Sequence, residues 1–183
     1  MDDLRRELIT AFRWRSDPPV WPESRAYYAD DSGWFASATI VAHLGPALAA
    51  LHDAQPTVVM GTESKGMALA ALTAVHLGIG TAQVRKEPDR TSHTDEWFTQ
   101  RTIPDYRDRN MLMAVRKSQV RGSDRVLFVD DWVDTGGQMI ACHQLTVQAG
   151  ASWLGAAVIV DGLEDSAHRR KYDVRSLLHL RDL

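Results

Sequence analysis

Two hydrophobic periods alternate along this chain. In residues 2–13, Leu4, Leu8, Ile9 and Phe12 fall on one helical face, so an amphipathic helix is expected, with Asp2 or Asp3 as its cap. The segment "RWRSDPPVWPES" has no such period. Its prolines predict an irregular surface stretch, with Trp14 and Trp21 covering part of the core. Residues 34–52 look helical again, and Gly45-Pro46 should break or kink that helix. The pattern then changes to short β-branched runs. "TVVMG" predicts a strand, "GMALAALTAVHLG" a helix closing on Gly78, and "GTAQVRK" a second strand. "RVLFVDD" is a third, strongly apolar strand, followed by "QMIACHQLTVQAG" as a helix ending on Gly150. "SWLGAAVIVDG" and "VRSLLHL" complete the set of expected strands.

Short apolar strands separated by helices imply an α/β fold with a mostly parallel sheet flanked by helices. Its ligands are then expected at the carboxyl ends of strands, in the loops that enter helices. Two such loops carry chemistry: "GTESKG" after the first strand and "DDWVDTGGQ" after the third.

In the second loop, Thr135, Gly136, Gly137 and Gln138 occupy a helix's opening turn, where backbone N–H groups lack intrahelical partners. Two glycines let an anion approach those amides, and the helix dipole favours it. The same residues also fit a plain capping box, Thr135-x-x-Gln138, with no ligand, and that motif alone does not separate the two readings. The aspartates do more. Asp130 follows "VLFV" directly, and charge at the end of a buried strand is costly unless it is partnered. Carboxylates for a sugar diol beside amides for a phosphate describe a ribose-5-phosphate site.

Composition narrows the class. The 183 residues fit one domain. Lys plus Arg number 21 against 24 Asp plus Glu, a formal charge of −3, which gives no general attraction to nucleic acid or anionic membranes. The short basic runs "RKSQVRGSDR" and "HRRKY" read as solvated edges. A single cysteine, Cys142, excludes an internal disulfide and suggests a reducing, cytoplasmic setting, and its helical position predicts a buried packing thiol. The N-terminus lacks the basic start and continuous apolar run of a signal peptide, and no apolar run approaches membrane-spanning length. The seven histidines lack ligand spacing, so no zinc site is expected. Neither G-x-x-x-x-G-K-[ST] nor G-x-G-x-x-G occurs, which argues against a P-loop or Rossmann protein.

"VLFVDDWVDTGGQ" resembles the 5-phosphoribosyl-1-pyrophosphate (PRPP) signature of type I phosphoribosyltransferases. "VVMGTESKGMALAALTAVHLGIG", "VRKEPD" and "KYDVRSLLHL" are similar, in the same order, to segments of that family's adenine-specific branch. The likeness spans about residues 34–181. It implies one domain over residues 1–183, with residues 1–33 as helix and hood and residues 34–183 as the PRPP-binding core. It also implies transfer of the phosphoribosyl group from PRPP to a nucleobase, most readily a purine such as adenine, with release of pyrophosphate. Asp130 and Asp131 would be the catalytic pair, facing the ribose hydroxyls directly or through Mg²⁺. Asp134, Thr135, Gly136, Gly137 and Gln138 would hold the 5′-phosphate. Glu63, Ser64, Lys65 and Gly66 would form the pyrophosphate loop, and Arg85 and Lys86 would neutralise it. A homodimer is implied as well. The alternatives are a PRPP-binding regulator of the same fold, with little or no turnover, or a phosphoribosyltransferase acting on a different base.

The chain departs from the family pattern in several places. Lys65 stands where arginine is usual and lacks its bidentate fork. Asp134 and Gln138 replace a small residue and a hydroxyl. The Phe-Lys-Asp stretch of the base pocket is not recognisable in "RAYYADDSGWF", where Tyr27, Tyr28 and Trp34 are expected to pack in the core or hood. Residues 87–110 are expected to form a mobile loop closing over the site, with Glu96 a candidate catalytic group and Trp97 and Tyr106 in an unfamiliar context.

Overall fold

The computed structural model describes residues 2–16, 27–88, 96–103 and 110–183. Its centre is a seven-stranded sheet of β3 (Val58–Thr62), β4 (Gly80–Lys86), β5 (Trp97–Arg101), β6 (Leu112–Arg116), β7 (Arg125–Val133), β8 (Ser152–Asp161) and β9 (Val174–His179). The strand order is β5-β6-β4-β3-β7-β8-β9. Neighbouring strands from β4 to β9 run parallel, while β6 is antiparallel to both β4 and β5. The expected five strands all form, and the apolar runs of β3, β7 and β8 follow from burial on both faces. Val59, Leu127, Val129, Ala157 and Ile159 face one core; Val58, Met60, Val126, Phe128, Ala156 and Val158 face the other. This alternation is the strand period expressed twice.

The first core is covered by α1 (Asp2–Ala11), α2 (Ser32–Ala36), α3 (Ala38–Ala49) and α4 (Lys65–Leu77). The second is covered by α5 (Gly137–Gln148), with Tyr172 and Val174 after the short α6 (Ser166–Lys171). Gly78 closes α4 in a left-handed conformation, as its sequence predicts. Cys142 is fully buried on α5, and burial pushes its thiol pKa well up. No helix among the described residues is long and apolar enough to cross a membrane.

Three expectations are corrected. The helix predicted over 34–52 is two helices, because Ser37 adopts an extended conformation and its side chain caps α3 through the Ile40 amide. Gly45-Pro46 does not end α3. Pro46 sits inside the helix, and Gly45 lets α3 press on α4, since a Cβ there would lie 2.4 Å from the Leu72 carbonyl oxygen. The proline-rich segment is irregular only in part. β1 (Arg13–Ser16) and β2 (Tyr27–Asp30) pair antiparallel and form the hood; residues 17–26, with Trp21, lie outside the described residues.

In β8, one extra residue lies opposite the β7 pair Val126–Leu127, because Val126 aligns with Trp153 and Leu127 with Gly155. This bulge puts Trp153 in the second core, stacked on Phe128 at 5.9 Å. Gly155 has φ 149°, and a Cβ there would collide with the buried His52 ring at 2.4 Å.

Gly45→Ala should destabilise the fold by about 1–3 kcal/mol despite alanine's better helix propensity, because the clash is with backbone. Urea denaturation measures this, and an unchanged midpoint would refute the close-approach role.

Candidate active site

A cleft of about 660 Å³ opens at the carboxyl ends of the parallel strands. Its lining includes Glu63, Ser64, Lys65, Lys86, Asp130, Asp131, Asp134, Thr135, Gly136, Gly137 and Gln138. Of the candidate residues, Gly66 and Arg85 are not part of the wall. Consecutive strand positions face opposite sides, so β4 turns Lys86 to the cleft and leaves Arg85 exposed opposite Ala114.

Asp130 is the most constrained charge in this wall. It is 5% exposed at the inner end of β7, and one carboxylate oxygen accepts the Thr62 hydroxyl at 2.6 Å. The other accepts the Asp131 amide at 3.1 Å. Gly66 leaves room for it, because a Cβ there would come within 2.5 Å of the carboxylate. Burial, then the charge of Asp131, pushes the Asp130 pKa well above the usual carboxylate range. Thr62 and Gly66 therefore serve this carboxylate without being visible as ligands in the sequence.

Asp131 lies beside Lys65, at 3.1 Å. Lys65 also donates to both oxygens of Asp31, each at 2.6 Å. Asp31 is not a candidate from sequence, where "RAYYADDSGWF" shows no recognisable base-pocket stretch. It occupies the α2 cap position, yet its side chain caps nothing and points to Lys65. Burial raises its pKa, opposed by Lys65. Its neighbour Asp30 behaves oppositely: the Ser32 hydroxyl, then Arg15, holds it down at about 2. Burial alone lowers the Lys65 pKa, but the two carboxylates outweigh it and the net shift is upward.

The opening turn of α5 is built as an amide cradle. Gly136 is its N-cap residue, left-handed at φ 79°, and no side chain caps the helix among the described residues. Thr135-x-x-Gln138 thus does not close a capping box; the Thr135 hydroxyl makes only a 3.4 Å contact with the Gly137 amide. Asp134 turns to the exposed side and does not cap α5. Leu163 backs the cradle, 3.3 Å from the position of a Gly136 Cβ. Leu163 is itself fixed by the Asp161 carboxylate, which accepts its amide at 2.9 Å, and by Arg169, which donates to its carbonyl and to Asp161.

Glu63 accepts the Lys86 amide at 3.0 Å and so braces the "GTESKG" loop against β4. The Glu63–Ser64 peptide is cis. The cleft lining also includes Trp14, Tyr27, Tyr28, Trp132 and Leu180. Trp34 packs in the core as expected, donating to the Leu8 carbonyl at 2.8 Å. Tyr27 and Tyr28 lie in the hood rather than the core: β2 leaves them 62% and 46% exposed. Trp14 is partly exposed and packs edge-on against Phe12 and Trp132. In the 87–110 region, β5 forms, and Thr102 and Ile103 reach the cleft. Glu96 is not in the cleft wall and pairs with Arg116 at 3.0 Å; residues 89–95 and 104–109, including Tyr106, lie outside the described residues.

Residues 36–180 match the family described as Phosphoribosyl transferase domain. The chain belongs to that family. An adenine phosphoribosyltransferase of Frankia casuarinae is 32% identical over 154 residues, covering 79% of this chain and 75% of that protein. The crystal structure of adenine phosphoribosyltransferase from Rhodothermus marinus superposes with a TM-score of 0.79 at 24% identity, over 98% of this chain and 100% of that one. The Trypanosoma brucei enzyme, solved with AMP, pyrophosphate and ribose-5-phosphate, gives a TM-score of 0.77 at 21% identity, over 98% and 81%. These likenesses extend the family fold across the hood as well as the sheet.

Asp130→Asn tests the electrostatic cost of the site. A carboxyl whose folded pKa is raised loses stability as pH climbs from about 4, its unfolded value, through that raised value. Asparagine cannot ionise, so the variant should be more stable at pH 7 by about 1–3 kcal/mol, with the gain vanishing near pH 4. Urea unfolding at both pH values reads this out, and a loss of stability at pH 7 would contradict it.

Proposed function

We propose that this protein transfers the 5-phosphoribosyl group of PRPP to a purine base, adenine being the first candidate, and releases pyrophosphate. The observation that carries this reading is one cleft lined together by the β7 carboxylates Asp130 and Asp131, a glycine cradle with no side-chain cap, and Lys65 and Lys86. The amides of Gly136, Gly137 and Gln138, with Thr135, receive the 5′-phosphate, and the exposed Asp134 lines the cleft beside them. Asp130 and Asp131 hold the ribose hydroxyls. Glu63, Ser64 and Lys65 form the pyrophosphate loop, with Gly66 making room for Asp130 behind it. Lys86 supplies the second cation there, while Arg85 lies on the far side of its strand.

Five carboxylates line the wall, Asp31, Glu63, Asp130, Asp131 and Asp134, against two ammonium groups, Lys65 and Lys86. Such a wall suits an anionic substrate that arrives with a divalent cation. No cluster of three or more acidic, His or Cys side chains stands ready to cage a metal among the described residues. That fits Mg²⁺, which is bound through one or two carboxylates plus substrate phosphates and keeps much of its water. Asp130 and Asp131 would hold it, and when bound it would supply positive charge to neutralise the substrate's phosphates.

The protein's own groups then follow the charge. Cleavage at ribose C1 leaves a cationic, oxocarbenium-like ring and an anionic pyrophosphate. Asp130 and Asp131 tolerate the ring's positive charge, and Lys65 and Lys86 stabilise the departing anion. The base nitrogen attacks C1 from the opposite face, so no covalent link to the protein is needed. Trp14, Tyr27, Tyr28 and Trp132 offer apolar faces for a planar base on the remaining wall. The same reading includes a cytoplasmic homodimer.

Pyrophosphate release from protein, Mg²⁺ and PRPP should appear with adenine in a nucleobase panel. PRPP binding without release for any base would favour the regulatory alternative. The Asp130→Asn, Asp131→Asn double variant should lose transfer while folding normally; unchanged turnover would refute the site. Gly136→Val should weaken PRPP binding by about tenfold or more by filling the cradle, as calorimetry would show.

A further inference from the structure

The reading above gives Lys65 the pyrophosphate, yet Lys65 is already fully engaged. An ammonium group has three N–H donors. Three carboxylate oxygens surround Lys65: two from Asp31 at 2.6 Å each and one from Asp131 at 3.1 Å. A phosphate oxygen reaching this lysine must take a donor from one of them. Asp131 belongs to the sheet, next to Asp130, and has a sugar to hold. Asp31 belongs to the hood, has given up capping its own helix, and touches no other cation among the described residues.

We propose that Asp31 is a positioning residue: its carboxylate holds Lys65 aligned in the cleft until the pyrophosphate group of the substrate displaces it. Two consequences follow. Lys65, a long side chain left 43% exposed, is held by a carboxylate that competes with the substrate for it, so the pair opposes pyrophosphate binding until it is displaced. Displacement then leaves Asp31, 7% exposed, without its counter-ion. A buried carboxylate in that position must either take up a proton or move with its segment. That segment carries Tyr27 and Tyr28, so occupation of the pyrophosphate end is communicated to the aromatic wall where a base would lie. The substrate class is a pyrophosphate ester, with inorganic pyrophosphate as its simplest member.

This inference rests on the phosphoribosyltransferase reading, and calorimetry of magnesium pyrophosphate binding to the full chain separates the two. Asp31→Asn should bind pyrophosphate about fivefold more tightly, since a half-exposed lysine pair is a modest competitor. Asp31→Ser, the fallback if the asparagine variant does not fold, should do the same. Asp31→Glu should return the affinity towards that of the native protein. With Lys65→Met in place, Asp31→Asn should no longer tighten binding. A merely structural aspartate would give the opposite sign, so unchanged or weaker binding in Asp31→Asn overturns the displacement role alone. A native protein binding neither pyrophosphate nor PRPP overturns the functional reading, and this inference with it.

Discussion

The site depends on keeping a carboxylate at the end of a buried strand. Asp130 continues a run of fully buried residues, in surroundings that favour its neutral form. Three parts of the chain make that possible: Thr62 on the adjacent strand donates a hydroxyl, the Asp131 amide donates from the next residue, and Gly66 withdraws its side chain. The β3–α4 loop is thereby tied to the β7–α5 loop, so the two ends of the proposed substrate site share one strained charge. A group held at such cost is more readily understood as chemistry than as packing.

Charge balance organises the rest of the cleft. The wall has a surplus of carboxylates, and each cation within it already has a task. Lys65 sits between a hood aspartate and a sheet aspartate. The backbone amide of Lys86 is fixed by Glu63, which leaves its ammonium group for the cleft. The uncapped α5 turn supplies the anion-attracting element that carries no counter-ion of its own. Binding of a multiply charged phosphate ester is thus an exchange among partners already present.

Much of this was legible in the sequence because it is local. The strand runs, the glycine stop of α4 and the acid pair followed by Thr-Gly-Gly each report a structure formed within a few residues. What was not legible depends on distant contacts. Asp31 sits in a stretch with no recognisable motif and is recruited by Lys65, 34 residues away. Gly45-Pro46 looks like a helix break and is a seat for α4, a fact carried by the Leu72 carbonyl. Arg85 and Lys86 look alike until the β4–β6 pairing decides which of them faces inward. Tyr27, Tyr28 and Trp34 read alike as core or hood residues, and only the pairing of β1 with β2 separates the two tyrosines of the hood from the buried tryptophan.

The bulge in β8 has a bearing on all of this. Along an uninterrupted strand, Trp153 would share a side with Ala157 and Ile159, facing the helices that pack beneath the hood. The extra residue resets the phase, so a large ring instead braces Phe128 from the α5 side and the small alanines meet both cores. Further along the same strand, Asp161 accepts the Leu163 amide and Arg169, the clamp that steadies the glycine cradle from behind. A single added residue far from the chemistry therefore lets one strand fill both cores of the sheet.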